Sequence, residues 1–150
     1  MAPEVDKRVW SKIQNVVVSA NIFAKLPLEK LAVILENSDY TPETFPGLIY
    51  KVQDDELSFK KASFLLFSSG RIICAGTKSI KAARDAVKHV VEDLKNVGIK
   101  ITKKPKIAVQ NMVASGSVGG KLNLNEIVFL FDNTEYEPEQ FPGLVYKLKG

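Results

Sequence analysis

The chain has 150 residues, 45% of them hydrophobic, a net charge of +4 and a pI of about 9.1. That length allows one domain or two small halves sharing a core. No apolar run approaches the roughly 18 residues of a membrane span, and the opening MAPEVDKRVWSK lacks the apolar centre of a secretory signal. A single cysteine, Cys74, leaves no internal disulfide and no cysteine-built zinc site, so an intracellular setting is the default; the basic balance permits a polyanionic partner.

Residues 1–12 read as a short polar tail. Ile13 to Ile22 alternates Asn15, Val17 and Ser19 against Val16, Val18 and Ala20, the pattern of a strand with both faces covered or used. Pro27 suits a helix start, and Leu28, Leu31, Ala32 and Leu35 form its apolar stripe. Tyr40 to Phe45 is a turn. Gly47 to Gln53 and Phe59 to Phe67 read as strands around a polar loop, Asp54 to Ser58. Ser68-Ser69-Gly70 turns the chain into another strand, Arg71 to Thr77. Ser79 is the N-cap of the clearest helix: Ile80, Ala83, Val87, Val90, Val91, Leu94 and Val97 recur at helical spacing, and Gly98 closes it. Ile99 to Lys103 reads as a strand. Ile107 to Val118, Leu122 to Phe131 and Gly143 to Leu148 read as strand, short helix and strand.

The last three elements repeat the first ones. Residues 14–51 and 110–147 align at a constant offset of 96 without a gap, with 17 identities in 38 positions. Chance does not place Q-N-x-V-x-S, K-L-x-L, Y-x-P-E and F-P-G-L-x-Y-K in one register. Two copies are too few for a solenoid, so the repeat points to a pseudo-symmetric domain whose working surface is built twice. The organisation is then a tail over 1–12, a first repeat over 13–104 and a partial second repeat over 105–150. The 46 residues that follow Lys51 in the first copy have only three counterparts after Lys147, so about 43 residues that symmetry asks for are not in the sequence.

The residue types offer little for catalysis. His89 lies off the apolar stripe of its helix with no second histidine or paired cysteine, and reads as a solvated residue. Cys74, between Ile73 and Ala75, reads as a buried thiol, since no base can be placed beside it. Asp54-Asp55-Glu56 reads as a solvated loop tip, short of the ligand count calcium requires. The repeated residues suit contact instead. Asn15 and Asn111 each stand beside small apolar strand positions; a lone strand Asn is ordinarily an edge or turn residue, but two equivalent ones suggest a surface both apolar and sparingly polar. Phe45-Pro46 and Phe141-Pro142 set a ring and a rigid residue before a strand, and Phe67 falls at the same hairpin end as Phe45. Such rings either plug a core or wedge into a partner.

Q-N-x-V-x-S, Y-x-P-E-x-F-P-G-L-x-Y-K, L-L-F-S-S-G-R and C-A-G-T-K-S, in order and the first two in both copies, resemble the TATA-box-binding family, with F-P-G-L similar to its archaeal branch. The resemblance covers residues 13–149. It implies an α+β fold, a saddle-shaped, curved antiparallel sheet with helices on the convex face and a pseudo-two-fold repeat, here incomplete in its second copy. It implies a non-enzymatic general transcription initiation factor that binds and bends the TATA box in the DNA minor groove, without a cofactor or metal. By motif, Asn15 and Asn111 bond base acceptors; Val17, Val113, Leu65 and Ile73 line the groove; Phe45 with Phe67 and Pro46 wedges one kink, and Phe141 with Pro142 serves the other. Ser69, Arg71 and Lys78 match phosphate contacts. Ala75 stands where the family usually has a base-bonding threonine, so one polar contact is lost. Glu137, Glu139 and Gln140 match the segment that docks transcription factor B, with the RNA polymerase machinery engaged indirectly and no membrane partner. The setting implied is the cytoplasm, associated with the nucleoid (the nucleus in a eukaryote).

Two other readings stand beside this one: a module of the same fold that acts as a regulator or partner-docking domain without tight promoter binding, and an accessory domain of a nuclease or glycosylase. The apolar face of the second copy, without the helix that symmetry asks for, points to self-association.

Overall fold

The computed structural model describes residues 8–149; the remainder of the expected tail, residues 1–7, lies outside them. In chain order the elements are β1 (Val9–Asn21), α1 (Leu28–Ile34), β2 (Ser38–Asp39), β3 (Leu48–Gln53), β4 (Lys61–Leu66), β5 (Arg71–Thr77), α2 (Ile80–Asn96), β6 (Lys106–Val118), α3 (Leu124–Leu130), β7 (Thr134–Glu135) and β8 (Val145–Tyr146). The described residues fall into two compact units, 11–115 and 8–10 with 116–149.

One six-stranded sheet has the order β2-β3-β4-β5-β1-β6. β2 through β5 form an antiparallel meander, and β5 then pairs antiparallel with β1, Asn21 opposite Arg71 and Val18 opposite Cys74. Period-two alternation sorts the two faces. Val16, Val18, Ala20, Phe64, Leu66, Ile72 and Cys74 are buried on one side, where Ala83, Ala86, Val87, Val90, Val91 and Leu94 of α2 complete the core. The helix turns this face to the sheet because its apolar residues recur every three or four positions. It begins where expected: Ser79 Oγ accepts from the Ala82 N–H at 3.0 Å. It ends at Gly98, whose φ of +103° lets the Gly98 N–H reach the Lys95 carbonyl and the Ile99 N–H reach that of Leu94. Cys74 is fully buried, and burial pushes its thiol up from the ordinary 9.0 to about 12.

β1 and β6 are neighbours at the middle of the repeat. Gln14 Nε2 donates to Ser115 Oγ, and Gln110 Nε2 donates to Ser19 Oγ, each at 2.8 Å. Adding 96 to Gln14 and Ser19 gives Gln110 and Ser115, so exchange of the copies maps one bond onto the other.

Five expectations need correction. β1 starts at Val9, inside the stretch read as tail. Ile99 to Lys103 is not a strand; Ile99 and Ile101 pack against the core, but their backbone joins no ladder. The strand read as Gly143 to Leu148 shrinks to Val145–Tyr146, paired only with β7, since no counterpart of β4 lies beside it among the described residues. Phe59 belongs to the β3–β4 loop, where it is buried edge-on against the His89 ring at 5.6 Å. His89 is therefore not simply solvated: it also lies 3.3 Å from Asp93, whose carboxylate accepts the Tyr50 hydroxyl at 2.8 Å.

Candidate nucleic-acid interface

The face of the sheet opposite the core is left half-exposed and apolar. Ile49 lies opposite Leu65, Leu65 opposite Ile73, and Ile73 opposite Ser19, which makes one row across β3, β4, β5 and β1. Val17 shares this face, as does Ala75, which lies opposite Ser63. The hydroxyl of Ser63 thus stands beside the position where Ala75 supplies none. An apolar row that its own protein leaves uncovered suits a partner surface poor in hydrogen-bonding groups.

The polar group on this face is oriented from behind. Asn15 Oδ1 accepts from the Gly76 backbone N–H at 2.7 Å. Only the amide oxygen can accept, so the NH2 group is the end left free to donate. Gly76 has φ +93° at a register shift between β5 and β1, a bulge that turns its N–H out of the ladder. Asn111, the repeat counterpart, is exposed in β6 beside exposed Met112 and Val113.

At one end of the row the rings of Phe45 and Phe67 meet edge to face, with centroids 5.9 Å apart and planes at 67°. Gly47 makes room for them, since a Cβ there would lie 2.8 Å from Phe45 Cε1 and 3.1 Å from Phe67 Cε1. Phe45 is held by a turn in which the Thr44 and Phe45 N–H groups both donate to the Thr41 carbonyl, with Pro46 exposed after it. Phe141 repeats this construction: the Gln140 and Phe141 N–H groups donate to the Glu137 carbonyl, and a Cβ on Gly143 would lie 2.8 Å from Phe141 Cε1. Phe141 and Pro142 are exposed, with no second ring stacked on Phe141 among the described residues. Glu137, Glu139 and Gln140 are exposed on the same turn.

Cations mark both ends of β5. Arg71 opens the strand beside exposed Ser69, and Lys78 follows its last residue, Thr77, roughly 20 Å away at about 3.3 Å per residue. Lys78 lines a cleft of about 480 Å³ together with Lys60, Lys61 and the carboxylate of Asp55. Those two lysines escape a sequence reading because the acidic run just before them masks their charge; the fold swings them to the Lys78 end. Gly76 also escapes it, although a glycine inside a strand pattern is the ordinary sign of a bulge.

This geometry coincides with a known family. Residues 10–97 and 106–150 match the model described as "Transcription factor TFIID (or TATA-binding protein, TBP)". The chain belongs to the TATA-binding protein family. The TATA-box-binding protein of Methanocaldococcus jannaschii is 46% identical over 148 residues, which is 99% of this chain and 75% of that protein. The Archaeoglobus fulgidus TATA-box-binding protein is 45% identical, covering 91% of this chain and 73% of its own length. The solved structure of the M. jannaschii protein superposes with a TM-score of 0.79 at 46% identity, covering 92% of this chain and 76% of that one. The fold is thus the α+β fold of TATA-binding proteins, an antiparallel sheet with, among the described residues, three helices. The family is one of transcription factors, not of enzymes.

Proposed function

We propose that this chain is a general transcription initiation factor that binds the TATA box through the minor groove, bends it, and recruits transcription factor B. The observation that carries the reading is the uncovered apolar row ending in the Phe45–Phe67 pair. At A·T pairs the minor groove presents acceptors only, so an apolar surface loses little by covering it, and the outward NH2 of Asn15 is the matching donor. Val17, Leu65, Ile73 and Ala75 fill the groove; in β6, Val113 is the counterpart of Val17 and Asn111 that of Asn15. Two rings at one strand end suit insertion at a flexible TA step, the wedge mechanism for which TATA-binding proteins are themselves an established example. Ser69, Arg71 and Lys78 reach the backbones on either side of the groove, holding the duplex without reading sequence. Phe141 and Pro142 serve the other kink. Exposed Glu137, Glu139 and Gln140 form the docking segment for transcription factor B, through which polymerase is engaged.

A fluorescence-labelled TATA duplex and a scrambled duplex test this reading, with bending followed by energy transfer between the duplex ends. The chain binds the TATA duplex more tightly and bends it. The double variant Phe45→Ala, Phe67→Ala loses bending before it loses salt-sensitive association. Equal affinity for the two duplexes would sink the proposal, and unchanged bending in the double variant would remove the rings from the mechanism.

A further inference from the structure

We infer that Lys106, together with Arg71 and Ser69, holds a backbone phosphate of the bound duplex in a cleft at one end of the sheet; this rests on the minor-groove reading above. The cleft has a volume of about 420 Å³ and is lined by Ser19, Asn21, Ser69, Arg71, Lys106 and Gln110, with two alanines and no carboxylate. Neither cation has an ion-pair partner among the described residues.

Two hydrogen bonds around the cleft occupy the acceptors of Ser19 and Asn21 and leave the donors of those side chains. Ser19 Oγ accepts from Gln110 Nε2 at 2.8 Å, so its own O–H remains to donate. Asn21 Oδ1 accepts from the Phe23 N–H at 2.9 Å, so its NH2 remains to donate. Two cations, two hydroxyls and an amide NH2 then surround one space. A group with several anionic oxygens satisfies that set, and charge-assisted bonds to it are the strong ones. Its place beside the apolar row, at the Arg71 end of β5, makes a backbone phosphodiester the fitting source.

The linker that brings Lys106 here is pinned. Lys103 Nζ sits 5.5 Å from the centre of the Phe23 ring. Phe23 occupies a left-handed backbone position, φ +55°, where its repeat counterpart is Gly119 at φ +79°. A phenylalanine is costly there, and its bond to Asn21 and contact with Lys103 hold it in place. The repeat counterpart of Lys106 is Trp10, which carries no charge, so this grip belongs to one side of the repeat.

The test is the salt dependence of duplex binding by the 150-residue chain. Each phosphate contact adds about 0.9 to the slope of log K against log salt. Lys106→Gln lowers that slope by about 0.9 and weakens TATA and scrambled duplexes by the same factor. Lys106→Arg retains the slope, and Lys100→Gln, at an exposed residue outside the cleft, leaves it unchanged; denaturant midpoints establish that each variant folds. An unchanged slope for Lys106→Gln, in a chain whose wild type still prefers TATA, overturns the inference and leaves the minor-groove reading standing. No TATA preference in the wild type removes that reading and this inference with it. Inorganic phosphate that raises the melting temperature of the wild type but not of Lys106→Gln, with no change in the duplex slope, assigns the cleft to a free anion and overturns the phosphodiester.

Discussion

In the first copy of the repeat Ser38 Oγ donates to the carbonyls of Ala32 and Leu35; in the second, Thr134 Oγ1 donates to those of Val128 and Phe131. Lys51 donates its N–H to Asn37, which has φ +59°, and Lys147 donates to Asn133, at φ +61°. The turns before Phe45 and Phe141 are likewise superimposable in their bonds. Yet α1 buries Leu28 and Leu31, whereas no residue of α3 is buried, and Phe129, Leu130 and Phe131 are exposed. The local backbone is the same because its determinants lie within a few residues of one another: a hydroxyl, an asparagine that tolerates φ above zero, a proline after the ring. Burial differs because it needs distant partners. In the first copy β4, β5 and α2 follow and supply Phe64, Leu66, Ile72 and Leu94 to the core. Among the described residues α3 has no such partners, and none of its residues is buried.

The sharpest way to break the comparison is to cut equivalent side chains. Leu94→Ala should cost roughly 2–5 kcal/mol, as should Leu31→Ala, because both side chains are fully enclosed and leave a cavity. Ile127→Ala, the counterpart of Leu31, should cost well under half of that, since Ile127 is only half-buried. Denaturant midpoints measure all three, and equal losses at Leu31 and Ile127 would mean that α3 is covered in solution, for instance by a second copy of the chain.

Amide hydrogen exchange sharpens the same contrast along the backbone. Strong protection is expected over residues 80–97 and weak protection over 122–148, where buried contacts are few. Uniform protection in a monomer would contradict the difference in burial. A smaller effect separates the helix starts. Ser79→Ala should cost about 1 kcal/mol, the ordinary value of an N-cap. Asn123→Ala should cost less, because its bond to the Glu126 N–H is 3.3 Å long and the seven-residue helix it caps has no fully buried residue.

The smallest expected effect is a pH dependence confined to the well-packed copy. Burial holds the Cys74 thiol above its ordinary value, and burial together with the Asp93 carboxylate does the same for the Tyr50 hydroxyl. Both groups are raised, so the folded state favours their neutral forms. Their contribution is complete below about pH 9 and declines as the pH climbs toward about 12, because the unfolded chain releases these protons first. Unfolding midpoints at stepped pH should fall over that window, and Cys74→Ala should make the fall shallower. A pH-independent midpoint between 9 and 12 would mean that neither group is shielded.

Much of this molecule was readable in the order of its residues. The offset of 96, the span of β5, the cap at Ser79, the stop at Gly98 and the two faces of β1 all rest on periodicities and local chemistry that act over a few positions. The candidate contact residues were readable for the same reason, since their motifs are contiguous. Tertiary structure alone decided the rest. Ile99 to Lys103 has strand-like residues but finds no ladder. Phe59 leaves its expected strand to cover His89, 30 positions away in sequence. Gly76 turns the amide of Asn15, and Lys106 meets Arg71 across β1. Each of these depends on which strand lies beside which, a choice made by burying apolar surface across long stretches of chain, and no window of neighbouring residues contains it.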